Sequence, residues 1–176
     1  MKSRHALKIL FLYLIILLSS PALGQEKINI AVGLGLPEMV NLGLRFQLGQ
    51  SQLGLYGGIL PRTDEKAFTL GADYYYHFGG SSEFSTRRPW FAKAGINYFQ
   101  DEDTYSKNTY LFLVPRIGRD INFSDKIGIT VEGGLLWLLN HTEVEKKPME
   151  ACWFLCDDWL LPDILPSFGV SVFYRL

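Results

Sequence analysis

Cysteine and histidine are scarce, with two and three copies in 176 residues. A disulfide-dense scaffold is therefore excluded, and the two residue types together do not make a metal set. The net charge is −1, so there is no basic footprint for nucleic acid. Charged residues reach only 20% of the chain. Beyond residue 25 no run approaches the ~18 consecutive apolar residues that a membrane-spanning helix needs. Apolar residues (48%), aromatics (14%) and 17 glycines are plentiful instead. That combination excludes a disordered polymer or a collagen-like repeat and suits strands that face something other than water.

The N-terminus reads as a removable segment. Lys2, Arg4 and Lys8 precede an apolar run from Ile9 to Leu18, followed by Ser-Ser-Pro-Ala-Leu-Gly. The run is about half the ~20 residues that cross a bilayer as a helix. Ala22 and Gly24 place small residues at −3 and −1 of a cut before Gln25. Residues 1–24 are thus expected to be a secretory signal peptide and residues 25–176 the mature domain. Its removal takes three of the 17 basic residues and none of the 18 acidic ones, leaving an exported, mildly acidic protein.

The mature chain alternates. In Asn41-Leu42-Gly43-Leu44-Arg45-Phe46-Gln47-Leu48 every second residue is large and apolar, and a period of two puts Arg45 and Gln47 on the opposite face. The pattern returns in Phe68 to Phe78 and in Ile127 to Gly133. Laid end to end, the predicted strands are 27–36, 41–49, 51–60, 67–79, 89–100, 108–119, 126–140 and 166–176. The expected fold is an all-β, eight-stranded, antiparallel, up-and-down transmembrane β-barrel. Turns follow the even strands and loops the odd ones, with the longest loop last.

A closed barrel in lipid explains why the alternation is apolar outward and polar inward. Arg45, Asp73, His77, Lys93, Arg116, Glu132 and Arg175 fall on the inward face. Buried charges are costly unless paired, so Asp73 and Glu132 are expected to join some of the four cations in a lumen network. An eight-strand interior is just filled by side chains, which favours a packed polar core over an ion path. Aromatics at strand ends predict two interfacial belts, Tyr76, Phe78, Trp90 and Tyr174 at one end and Tyr98, Tyr110 and Trp137 at the other.

The chain ends Phe168-Gly169-Val170-Ser171-Val172-Phe173-Tyr174-Arg175-Leu176. Apolar residues at the last, third-last, fifth-last and seventh-last places (Leu176, Tyr174, Val172 and Val170) resemble the C-terminal assembly signal of bacterial outer-membrane barrels. Leu176 stands where that signal usually has Phe. The segment from Arg116 to Gly134, with its Ser124-Asp125 turn and returning Glu132-Gly133, resembles the strand-turn-strand unit of the small outer-membrane β-barrel domain family of Gram-negative bacteria, the OmpA- and OmpX-type eight-stranded barrels. The resemblance implies an outer-membrane location, contact with outer-membrane lipid and insertion by the barrel-assembly machinery. It does not imply one activity, because members differ mainly in their loops.

Some barrels of this type are lipid-modifying hydrolases that resemble serine hydrolases, with His-x-Ser on one strand. Here His77 is followed by Phe78 and Gly79, so the serine is missing, and His141-Thr142-Glu143 is predicted to lie in a loop. No other nucleophile and base stand at a suitable spacing, so no catalysis and no cofactor are expected. The role expected is structural, or surface interaction through the last loop. Two alternatives are a soluble exported barrel binding a small apolar ligand, as lipocalins do, and a conduit for small hydrophobic molecules. The first requires the inverse assignment of the two faces.

The predicted last loop, 141–165, holds the remaining distinctive residues. At helical spacing Cys152, Leu155, Cys156, Trp159 and Leu160 share one face. Trp153, Phe154 and Trp159 would form an interaction surface for a partner that the sequence leaves unidentified. In an exported chain Cys152 and Cys156 can pair with one another, or both can stay reduced.

Overall fold

A computed structural model describes residues 27–61, 66–102, 105–146 and 163–176. Its strands are β1 (Ile28–Leu36), β2 (Met39–Leu48), β3 (Ser51–Pro61), β4 (Lys66–Gly79), β5 (Trp90–Glu102), β6 (Ser106–Asn122), β7 (Ile127–Glu145) and β8 (Ile164–Arg175). Each pairs antiparallel with its sequence neighbours, and β1 pairs with β8, closing an eight-stranded barrel. The β2–β3, β4–β5 and β6–β7 turns lie at the same end as the start of β1 and the end of β8, here called the turn end. The other connections lie at the loop end.

Period-two alternation has the same sense all round the barrel. Leu42 is 59% exposed, whereas Arg45, three residues on, is 7% exposed. The outward face carries Val32, Leu34, Leu44, Leu55, Leu70, Ile96, Ile117, Val131 and Val172, all exposed. The inward face carries Asn29, Gln52, Asp73, Lys93, Asn97, Arg116 and Thr130, all buried. A water-soluble barrel sorts its residues the other way, since burying apolar area is what stabilises it.

Two strands run further than the periodicity predicts. β6 starts at Ser106 and β7 continues to Glu145, with a register shift opposite Leu111 and Phe112. The apolar alternation fades here because the outward face turns polar, at Thr109 and Lys107 on β6 and Asn140 and Thr142 on β7. His141 and Glu143 therefore belong to a strand, not to a loop. Tyr110 also departs from its expected place in an aromatic belt. It shares the inward parity of Phe112 and Val114, and its ring stacks on His141 with centroids 4.4 Å apart. The loop residues Cys152, Trp153, Phe154, Cys156 and Trp159 lie outside the described residues.

The interior is layered. At the loop end Phe112, Val114 and Leu136 form an apolar cluster with Phe99, Tyr110, Leu138 and Leu165 packed against it. Below it the filling is mostly polar and charged, with the buried rings of Tyr75, Phe91 and Phe173 set among it. Glycine makes room where a large side chain crosses the lumen: Tyr56 lies across Gly71 and reaches Asn97, whose amide donates to the phenol oxygen at 2.9 Å.

Adjacent glycines on β7 offer a direct check of this packing. A Cβ on Gly134 would collide with the Pro115 carbonyl and lie 2.7 Å from the Arg116 Cα, whereas one on Gly133 would meet only the Ser167 carbonyl, at 3.9 Å. Gly133→Ala should leave the unfolding free energy unchanged or raise it, by up to ~1 kcal/mol from reduced freedom of the unfolded chain. Gly134→Ala should lower it. Denaturant unfolding of the two variants reads the difference.

Candidate functional site in the barrel lumen

Among the described residues, the largest concentration of chemistry-bearing side chains lies inside the barrel. Lys93 of β5 and Arg116 of β6 are neighbours in register, both inward and both buried. Lys93 Nζ lies 2.6 Å from Glu132 Oε1, 3.3 Å from Asp73 Oδ2 and 3.5 Å from Glu38 Oε1. Arg116 reaches Glu132 Oε1 at 2.6 Å and Glu38 Oε2 at 2.7 Å. Its Nε donates to Ser167 Oγ at 2.7 Å, and the guanidinium also donates to the Leu36 carbonyl. Two cations and three carboxylates, drawn from four strands and a turn, thus form one cluster.

Glu38 is the member that strand periodicity did not reveal. It sits in the turn between β1 and β2, outside any alternating run, beside a cis Leu36-Pro37 bond and a Met39 with φ of 57°. The turn bends inward, so Glu38 is 5% exposed and its carboxylate points down onto Arg116. The signal available in sequence was indirect: the inward face of the predicted strands carried four cations against two anions, and an enclosed lumen needs the missing charge from elsewhere.

Arg45 takes a separate route. Its guanidinium donates to Thr130 Oγ1 at 3.1 Å and Ser171 Oγ at 3.0 Å, and lies 5.0 Å from the centre of the Tyr75 ring. Thr130 donates to Asp120 at 2.8 Å, and Asp120 accepts from Arg87 at 2.7 Å. Tyr75 links this chain to the cluster by donating to Asp73 at 3.0 Å. Asp120 and Arg87 were also missed. Asp120 falls at the end of β6, beyond the predicted limit of that strand, and Arg87 comes from the β4–β5 turn.

His77 and Arg175 lie nearer the turn end than the cluster. His77 Nδ1 is 2.8 Å from the Arg88 carbonyl and Nε2 is 3.2 Å from Gln52 Oε1, so the ring nitrogens face two amide oxygens. Arg175 is 2% exposed, packs its guanidinium over Phe173, and donates to the Asp125 carbonyl and to Asn122. It fastens the β6–β7 turn across the barrel opening. Val170, Val172, Tyr174 and Leu176 are exposed on the outer face of β8 and just beyond it.

Among the described residues, the side chains pack closely around the cluster. One oxygen each of Asp73 and Glu132 has no hydrogen-bond partner, and both residues line a space of about 30 Å³, room for a single water. Chemically the arrangement is a neutralised, densely bonded ion cluster capped by an apolar layer. No family model matches the chain, and no curated protein or solved structure gives a significant match.

Removing one carboxylate while leaving both cations is the informative perturbation. Glu132→Gln removes the carboxylate that lies 2.6 Å from both Lys93 and Arg116 in a buried setting, where breaking a pair costs ~3–5 kcal/mol. Denaturant unfolding of the folded barrel should show a loss of that size, against a change within ~0.5 kcal/mol for the exposed Glu83→Gln. Equal midpoints for the two variants would mean that the cluster contributes nothing.

Proposed function

We propose that this protein is an integral outer-membrane β-barrel of a Gram-negative bacterium, exported with residues 1–24 as a cleaved signal peptide, with a structural or surface-interaction role and no catalysis. The observation that carries the reading is the inverted sorting of the barrel wall. A continuous apolar sleeve outside and a polar, charge-paired filling inside stabilise a barrel only where the solvent is lipid.

The dimensions support it. On β5 the exposed Trp90 and Tyr98 are eight residues apart. That is ~26 Å along a strand and ~20 Å once a tilt near 40° is projected, close to the ~25 Å apolar band of such barrels. Tyr76, Phe78 and Tyr174 are exposed at the same end as Trp90, and Trp137 is exposed towards the same end as Tyr98. The 19-residue β7 is about twice the 9–11 residues that a crossing requires, so its last stretch, paired with the start of β6 at the loop end, stands clear of the band. The polar packing and its apolar cap favour a closed barrel over a pore, and the surface-interaction role is assigned to the last loop with its Trp153, Phe154 and Trp159, as the sequence suggests. Resemblance of residues 116–134 and of the C-terminus to the small outer-membrane barrel family supports the same reading and implies assembly by the barrel machinery.

Depth tests it. Leu44 and Thr142 both face outward, but Leu44 lies mid-sleeve and Thr142 beyond it. Leu44→Arg should reduce folding stability in phospholipid vesicles by ~2–4 kcal/mol and Thr142→Arg by no more than ~1 kcal/mol. Equal, small effects for both substitutions would instead fit an outer face bathed in water.

A further inference from the structure

The outer face of β5 is lower than its neighbours. Outward residues on β4 are Tyr74 and Tyr76, and on β6 Pro115 and Ile117, while between them β5 presents only Ala92 and Ala94. In register Ala92 lies between Tyr76 and Ile117, and Ala94 between Tyr74 and Pro115. The result is a trench with an alanine floor and bulky walls. At Ala94 it opens sideways, over β4 and β3 towards β2, into a concavity of about 620 Å³ bounded by Phe46, Leu48, Leu53, Leu55, Tyr74 and Leu113.

The trench begins at a cation. Arg119 is exposed on the outer face, paired in register with Trp90, and its guanidinium lies 5.4 Å from the centre of that exposed indole. Stacking on the ring fixes the charge at the turn-end edge of the apolar sleeve, where a lipid headgroup would lie. From Trp90 to Ile96 the trench is ~20 Å long, comparable with an extended acyl chain. A positive charge at the mouth and a wholly apolar floor match one kind of molecule at both ends.

We propose that this face holds one anionic phospholipid of the leaflet at the turn end, its phosphate on Arg119 and one acyl chain along Ala92 and Ala94. The inference rests on the membrane reading above and adds a defined lipid site to it. Arg119 supplies a charge-assisted bond to the phosphate. The missing side-chain volume at Ala92 and Ala94 lets the chain lie against the barrel with van der Waals contact on both sides.

The test is native mass spectrometry of the purified barrel from mixed micelles of detergent with equal phosphatidylglycerol and phosphatidylethanolamine. The wild type should retain one phosphatidylglycerol. Arg119→Gln should bind it roughly tenfold more weakly, the loss expected for one charge-assisted hydrogen bond. Ala94→Leu, which fills the trench without touching the charge, should weaken it as well. Both changes are on the outer surface, and a compact band in unheated dodecyl sulfate gels checks that each variant is folded. Folded protein carrying no lipid, retention indifferent to headgroup, or retention unchanged in both variants would overturn the site while leaving the barrel reading intact. A wild type with no compact band would overturn both.

Discussion

Lys93 and Arg116 stand inside the barrel almost without exposure, and Glu38, Asp73 and Glu132 hold them there. Much of the remaining structure follows from that constraint. Charges removed from water must meet opposite charges and hydrogen bonds at close range, or their desolvation outweighs every local gain. The carboxylates come from β4, β7 and the β1–β2 turn, so the cluster can form only when distant strands are in register. The inward bend of the β1–β2 turn, the seating of Ser167 against Leu36 and the close approach at Gly134 all serve the same point in space. The apolar layer of Phe112, Val114 and Leu136 then covers the cluster from the loop end.

The second constraint acts on the outside. An all-round sleeve of leucine, valine and isoleucine needs a solvent that does not penalise it, and the interior shows that apolar area is not being saved for a core. In the proposed setting the two constraints are one design: lipid satisfies the wall, and the cluster satisfies the filling. The tall β6–β7 pair departs from it only where its outward face becomes polar, and there it would leave the membrane.

Much of the wall was legible in the sequence because a period of two is a strong signal when neighbouring positions differ sharply in polarity. Leu42, Leu44 and Arg45 announce both the strand and its orientation, and the eight strands fall close to their expected positions. The parts that escaped are those where the code changes. Glu38 lies in a turn whose direction depends on backbone geometry at Leu36-Pro37-Met39 and not on alternation. Arg87 reaches the lumen from another turn. Tyr110 has the character of a belt residue, yet parity with Phe112 turns it inward. The excess of inward cations was the available hint that anions were missing from the count, and Glu38 and Asp120 are two of them.

The central claim is that the wall faces lipid. Gel mobility of the mature protein from a membrane fraction, in dodecyl sulfate with and without heating, tests it most directly. The account predicts a compact, fast-running band without heating that converts to the unfolded position on boiling. A single unfolded position in both lanes, with the protein recovered in the soluble periplasmic fraction, would contradict it.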